Sequence, residues 1–178
     1  MVLRLTLLTI LFVVLLCFLF GRQAVLGVLG WRRSTKVDKA SAKLMLSGSN
    51  HQAFIKEIPV VSERHRIQMN RSFKESLDYK KSDLVRVDSI IRKAWGKDLP
   101  ENIDTLILTF GCYFGETIRK LRGGEWSYDE NRGYCLCRVG GSATVYPFEK
   151  VKKRFQNSDQ DSLALFYTAL VKALEKST

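Results

Sequence analysis

Residues 103–146 read IDTLILTFGCYFGETIRKLRGGEWSYDENRGYCLCRVGGSATVY, and within them the spacing of apolar residues changes. Up to Arg122 it is helical, with Ile103, Leu106, Ile107, Phe110, Phe114, Ile118 and Leu121 on one face. Leu108, Gly111 and Gly115 widen that arc past half the circumference. A surface helix needs a narrower stripe, so this one is expected to be central and mostly buried. Gly123-Gly124 supplies its stop. Beyond it the period falls to two. Trp126 and Tyr128 alternate with polar residues, and Asp129-Glu130-Asn131-Arg132-Gly133 is turn-like. Tyr134 to Val139 reads as a strand, Gly140-Gly141 as a two-residue hairpin turn, and Ser142 to Tyr146 as a third strand. Pro147 ends the sheet.

On the N-terminal side, Ser82 is a suitable N-cap with Asp83 in the first turn, and Leu84, Val87, Ile91 and Trp95 follow at helical spacing until Gly96. Asp98-Leu99-Pro100-Glu101 carries the signature of a helix start, which predicts the central helix from about Leu99. On the C-terminal side, Phe148, Val151 and Phe155 mark a short helix. Ser158-x-x-Asp161 is expected to cap a last one, with Leu163, Phe166, Tyr167, Leu170 and Leu174 on one face. The order is two helices, a three-stranded antiparallel meander and two C-terminal helices. That is an α+β domain over residues 71–178, not a parallel-sheet fold. Residues 32–70 are polar and basic and read as a linker. Phe54, Ile55, Ile58, Val60 and Val61 suggest at most a short strand there. Asn70-Arg71-Ser72 is a glycosylation sequon, of consequence only for an exported domain.

The chain has 178 residues, of which 46% are hydrophobic and only three are Pro, which excludes a wholly disordered or collagen-like protein. Its 29 basic and 18 acidic residues give a net charge of +11, unevenly spread. Residues 1–50 carry +6, residues 51–100 carry +4 and residues 101–178 only +1. A nucleic-acid-binding domain places its basic patch on the folded part. Here the excess lies beside an apolar segment, so nucleic acid is not an expected partner.

That segment, Leu5 to Phe20, contains no charge. Its length at ~1.5 Å per residue is about 24 Å, against a hydrocarbon core of about 30 Å. Val2, Leu3 and Gly21, with Arg4 and Arg22 snorkelling, nearly close the gap. Small residues at a signal-peptidase spacing are lacking, which favours an uncleaved signal-anchor spanning residues 5–21 over a removed signal peptide. Ala24 to Trp31 is too short to span again and suits the interface, so residues 1–31 form the anchoring unit. Arg22, Arg32, Arg33, Lys36, Lys39 and Lys43 follow the segment and only Arg4 precedes it. The positive-inside rule then places the C-terminal domain in the cytoplasm. The rival expectation is an exported or periplasmic domain. Four Cys do not make a disulfide framework in a chain of this size.

Three stretches carry a resemblance: Leu77–Ile91 (LDYKKSDLVRVDSII), Phe110–Trp126 (FGCYFGETIRKLRGGEW) and Val145–Tyr167 (VYPFEKVKKRFQNSDQDSLALFY). They resemble a broad group of small bacterial domains of unknown function. In that group a buried helix with a Gly-x-x-x-Gly-Glu run leads into a Gly-Gly-x-Trp strand, and a Pro-Phe-x-x-Val-x-Lys-Arg segment follows a short meander. The resemblance covers roughly residues 73–172 and implies a fold, without an activity to carry over.

Among candidate site residues, Glu116 is the acid inside the most motif-like stretch. Its wheel position is on the polar side of the central helix, with Arg119 and Lys120 three and four residues on. A solvated ion pair is the plainer expectation for it, and a site acid the sharper one. Cys112 lacks a placed His base, and Cys135-x-Cys137 lacks knuckle-like spacing, so neither catalytic Cys nor metal site is expected. No phosphate-loop motif exists in the chain and no cofactor is implied. Lys150, Lys152, Lys153 and Arg154 form a basic run suited either to an acidic partner or to plain solvation, and Tyr128 is a candidate recognition residue. The expected function is a membrane-anchored, non-catalytic protein-binding module. A toxin-neutralising immunity-type protein is one special case. A hydrolase-like enzyme with Glu116 in a cleft against the sheet is the alternative from another class.

Overall fold

The computed structural model describes residues 50–96 and 99–176. Within them five α-helices surround a three-stranded sheet: α1 (His51–Phe73), α2 (Lys81–Trp95), α3 (Ile103–Arg122), β1 (Glu125–Asp129), β2 (Gly133–Val139), β3 (Ala143–Val145), α4 (Pro147–Asn157) and α5 (Leu163–Lys176). The architecture is α+β, with an antiparallel meander in the order β1-β2-β3. The expected membrane span lies outside the described residues. Among the described residues no helix is long and apolar enough to cross a membrane.

The central helix is α3, and every residue from Leu108 to Ile118 is buried. α1 and α4 are its main helical neighbours, and β2 also packs on it. Gly111 and Gly115 explain how neighbours come so close. A Cβ at Gly111 would lie inside the Phe148 ring's contact envelope, and one at Gly115 inside that of Trp126, with Pro147 Cγ 3.1 Å away. Two glycines one turn apart thus let the start of α4 and the β1 tryptophan rest on helix backbone. Gly123, at φ +73°, ends the helix by donating its N–H to the Arg119 carbonyl.

α1 corrects the sequence reading. Residues 51–70 are helical rather than linker or strand, and Phe54, Ile58, Val61, His65 and Met69 are buried along one face at helical spacing. The pattern is hidden in the sequence because Ser62 and His65 occupy that face and Pro59 sits inside the helix. Asn50 caps the start, its side chain accepting the Ala53 N–H at 3.0 Å. The Asn70 amide clamps the returning chain, donating to the Leu77 carbonyl (3.1 Å) and accepting the Leu77 N–H (2.8 Å). The sequon asparagine is therefore in structural use.

Other boundaries move for local reasons. α2 starts at Lys81, not after Ser82. Asp83, fully buried, accepts the N–H groups of Asp78 (2.6 Å) and Lys80 (2.9 Å) and so acts as the cap. α3 starts at Ile103 rather than near Leu99, because Ile103 donates to the Pro100 carbonyl in a tight turn. Leu136 pairs with Val145 as the spacing predicts. The next pair is Val139 with Ala143, so three residues rather than two make the turn and the third strand is shorter. A bulge accommodates this, with Arg138 at φ +56°. Without it Leu136 and Val139, three apart, would face opposite sides; with it both are buried in the main core. Trp126, Leu136 and Val145 share the inner sheet face, while Cys135 and Cys137 share the outer one. Ser158–Asp161 is a separate 3₁₀ turn, and α5 is capped instead by Ser162 and by Asp88 of α2.

Candidate functional site

Glu116 is not the solvated ion pair that its wheel position implies. It is 1% exposed, and its two oxygens accept Arg119 Nε (2.8 Å) and Nη2 (2.9 Å). Oε1 also accepts the Trp126 indole N–H at 2.7 Å. The wheel misplaced it because Trp126, ten residues on, folds over Gly115 and roofs the side of the helix that periodicity assigns to water. The acid holds a tryptophan in place, and Arg119 neutralises it.

The basic run of α4 splits. Arg154 is buried, bonded to Asp88 and Asp159, and is no part of a surface patch. Helical geometry turns it inward with Val151 and Phe155, so the solvated-face reading fails for this residue. Lys152 and Lys153 are exposed. Lys150 bonds Asp161 at 2.6 Å. Tyr128, just before the Asp129–Gly133 turn, has its ring stacked on His51 at 3.4 Å between centroids. His51 Nδ1 also meets Tyr134 Oη at 3.0 Å, so Tyr128 helps seat the start of α1. Tyr128 and the basic run do not converge.

What converges is a surface groove of about 210 Å³ where β3, the start of α4 and α5 meet. Arg132, Thr144, Val145, Tyr146, Glu149, Lys150, Lys153 and Phe166 line it. The Asp129–Gly133 turn delivers Arg132: Asp129 Oδ1 accepts the N–H groups of Asn131 and Arg132, and Oδ2 accepts the Tyr146 hydroxyl at 2.9 Å. These bonds, the tyrosine first, hold the Asp129 carboxyl below its usual range. Arg132 lies on the Tyr146 ring at 3.6 Å and grips both Glu149 oxygens, at 3.2 and 2.5 Å. That grip keeps the Glu149 carboxyl below the ordinary range, and Lys150 does the same for Asp161. Of the residues singled out from sequence, Lys150 and Lys153 reach this groove. Arg132, Tyr146 and Phe166 were not singled out. The turn residues flanking Arg132 were legible, but not that a meander would fold the turn against α4.

Cys112, Cys135 and Cys137 are free thiols. Cys135 and Cys137 Sγ atoms approach to 3.5 Å, and Cys112 is buried in the α1–α3 core. Burial, then the hydrogen bond with Cys137, pushes the Cys135 thiol up to about 12. Among the described residues no group of three or more His, Cys, Asp or Glu side chains is placed to hold a metal. No family model, curated protein or solved structure matches the chain.

Proposed function

We propose that the domain is a non-catalytic protein-binding module, tethered by residues 5–21 with its folded part in the cytoplasm. The groove carries the reading. At about 210 Å³ it is smaller than the ~300–1,000 Å³ clefts that enclose small-molecule substrates. The acids around it, Glu149, Asp161 and Asp129, are each already bonded to a cation or a tyrosine. A general acid or base needs a carboxyl poised near the working pH, and these are shifted the other way. Glu116, the candidate of the hydrolase-like alternative, has both oxygens engaged and is covered by Trp126.

Photo-crosslinking of the full-length chain in its own cells tests the binding role. One protein joined reproducibly to the exposed groove side of the domain supports it. Crosslinks to lipid alone sink it. Sidedness is tested by replacing the four native Cys, introducing Ser47→Cys, and labelling with a membrane-impermeant maleimide. Labelling only after permeabilisation, at full-length mass, is expected, and labelling of intact cells places the domain outside.

A further inference from the structure

We infer that the groove between β3, α4 and α5 receives an acidic side chain of the protein partner, with Lys153 as the ammonium that meets it. The inference rests on the reading of the domain as a protein-binding module and names the partner's chemistry.

The lining holds three cations, Arg132, Lys150 and Lys153, and one carboxylate, Glu149, while Asp161 and Asp129 bond the lining residues Lys150 and Tyr146 from beside it. Two of the cations are already oriented. Arg132 is fixed by Glu149 and by the face of Tyr146, and Lys150 by Asp161. Lys153, one turn after Glu149, forms no salt bridge among the described residues. The Lys153 charge acts on the Glu149 and Asp161 carboxyls without a salt bridge to either, so an incoming carboxylate would meet an ammonium still open to a direct bond, beside two cations held in place by those acids. Val145, Tyr146 and Phe166 supply apolar wall beside these charges. A desolvated wall strengthens each charge–charge attraction relative to open water. The volume suits one side chain rather than a whole metabolite. The chain's own N-terminal segment is a poor occupant, because residues 1–50 carry a net charge of +6 and one acid, Asp38. A flat anionic membrane fits a concave site less well than a projecting side chain does.

Lys152 supplies the control, since it is exposed, adjacent in sequence and outside the groove lining. Its substitution changes net charge as Lys153 does, without touching the site. The test is fluorescence anisotropy of fluorescein-labelled hexaglutamate with the full-length chain in neutral detergent, repeated with vesicles containing phosphatidylserine. Hexaglutamate is expected to bind, Lys153→Gln to weaken it about tenfold, and Lys152→Gln to leave it within about twofold. Equal losses from the two variants would show attraction to bulk charge and overturn the inference. Lys153-dependent binding of the vesicles without binding of hexaglutamate would also overturn it, in favour of a lipid headgroup. If hexaglutamate does not bind while crosslinking still finds a partner on another face, the acidic-groove inference falls and the binding-module reading stands. Failure of both removes both.

Discussion

Asp88 on α2 holds Arg154 on α4 at 2.7 Å from Oδ1 to Nε, across 66 residues of sequence. Arg154 is 1% exposed and donates as well to the Asp88 carbonyl and to Asp159. The same Asp88 carboxylate accepts the N–H groups of Leu163 and Ala164 and the Ser162 hydroxyl, so one side chain joins α2, α4 and the start of α5. Removing one partner of a buried pair leaves the other charge stranded, at a cost of about 3–5 kcal/mol. Asp88→Ala should lower the urea-unfolding stability of the full-length chain by that amount. Asp159→Ala, at an exposed partner, should cost under ~1 kcal/mol. Similar costs for the two would show that Arg154 is held by packing alone.

Gly115→Leu should destabilise by more than about 2 kcal/mol, because the Trp126 ring and Pro147 already occupy the space its side chain needs. Gly115→Ala tests the same contact more gently, since even a Cβ meets the ring. A melting temperature unchanged in both variants would mean that Trp126 moves aside at little cost.

Trp126→Phe keeps an aromatic roof over Gly115 but withdraws the indole donor from buried Glu116. The expected loss is about 1–3 kcal/mol, the range for leaving a buried acceptor with one bond fewer. The double variant Trp126→Phe with Glu116→Gln should lose less than the sum of the two single losses, because the two residues share one bond. Strict additivity in a double-mutant cycle would place the effect in packing alone.

His65 gives a pH dependence of known sign. It is buried against Phe110, with ring centroids 4.5 Å apart, and burial lowers its pKa from 6.5 to about 3. Between those values the unfolded chain takes up a proton that the folded chain does not. Stability is therefore fully present above about pH 6.5 and is lost as pH falls towards 3. The limiting slope is ~1.4 kcal/mol per pH unit. The upper part of that range, pH 6.5 to 5, is the window to test. His65→Met should flatten urea stability across that window, and an unchanged slope would assign it elsewhere.

The helix-to-strand change near Gly123, the meander and the two C-terminal helices were legible in the sequence because each depends on local spacing and on glycine or proline at a boundary. α1 was not, because a helix that buries a histidine and a serine and contains Pro59 breaks the apolar pattern by which amphipathic helices are recognised. Its face becomes coherent only against Leu108 and Cys112 of α3, more than forty residues away.

The site divides in the same way. Sequence alone determined the residue types: a basic run after Pro147, an acid directly after Gly115, a tryptophan after two glycines. Tertiary structure decided their use. It took Arg154 into the core because Asp88 meets it there and Asp159 reaches it from the surface, and turned Glu116 into an anchor because Trp126 covers it. It gathered Arg132, Lys150 and Lys153 around one groove by folding a turn and two helices together. Periodicity reports which face of an element is apolar. Which polar residues are then covered, paired or left open depends on side chains that arrive from distant parts of the chain, and no local pattern encodes that arrival.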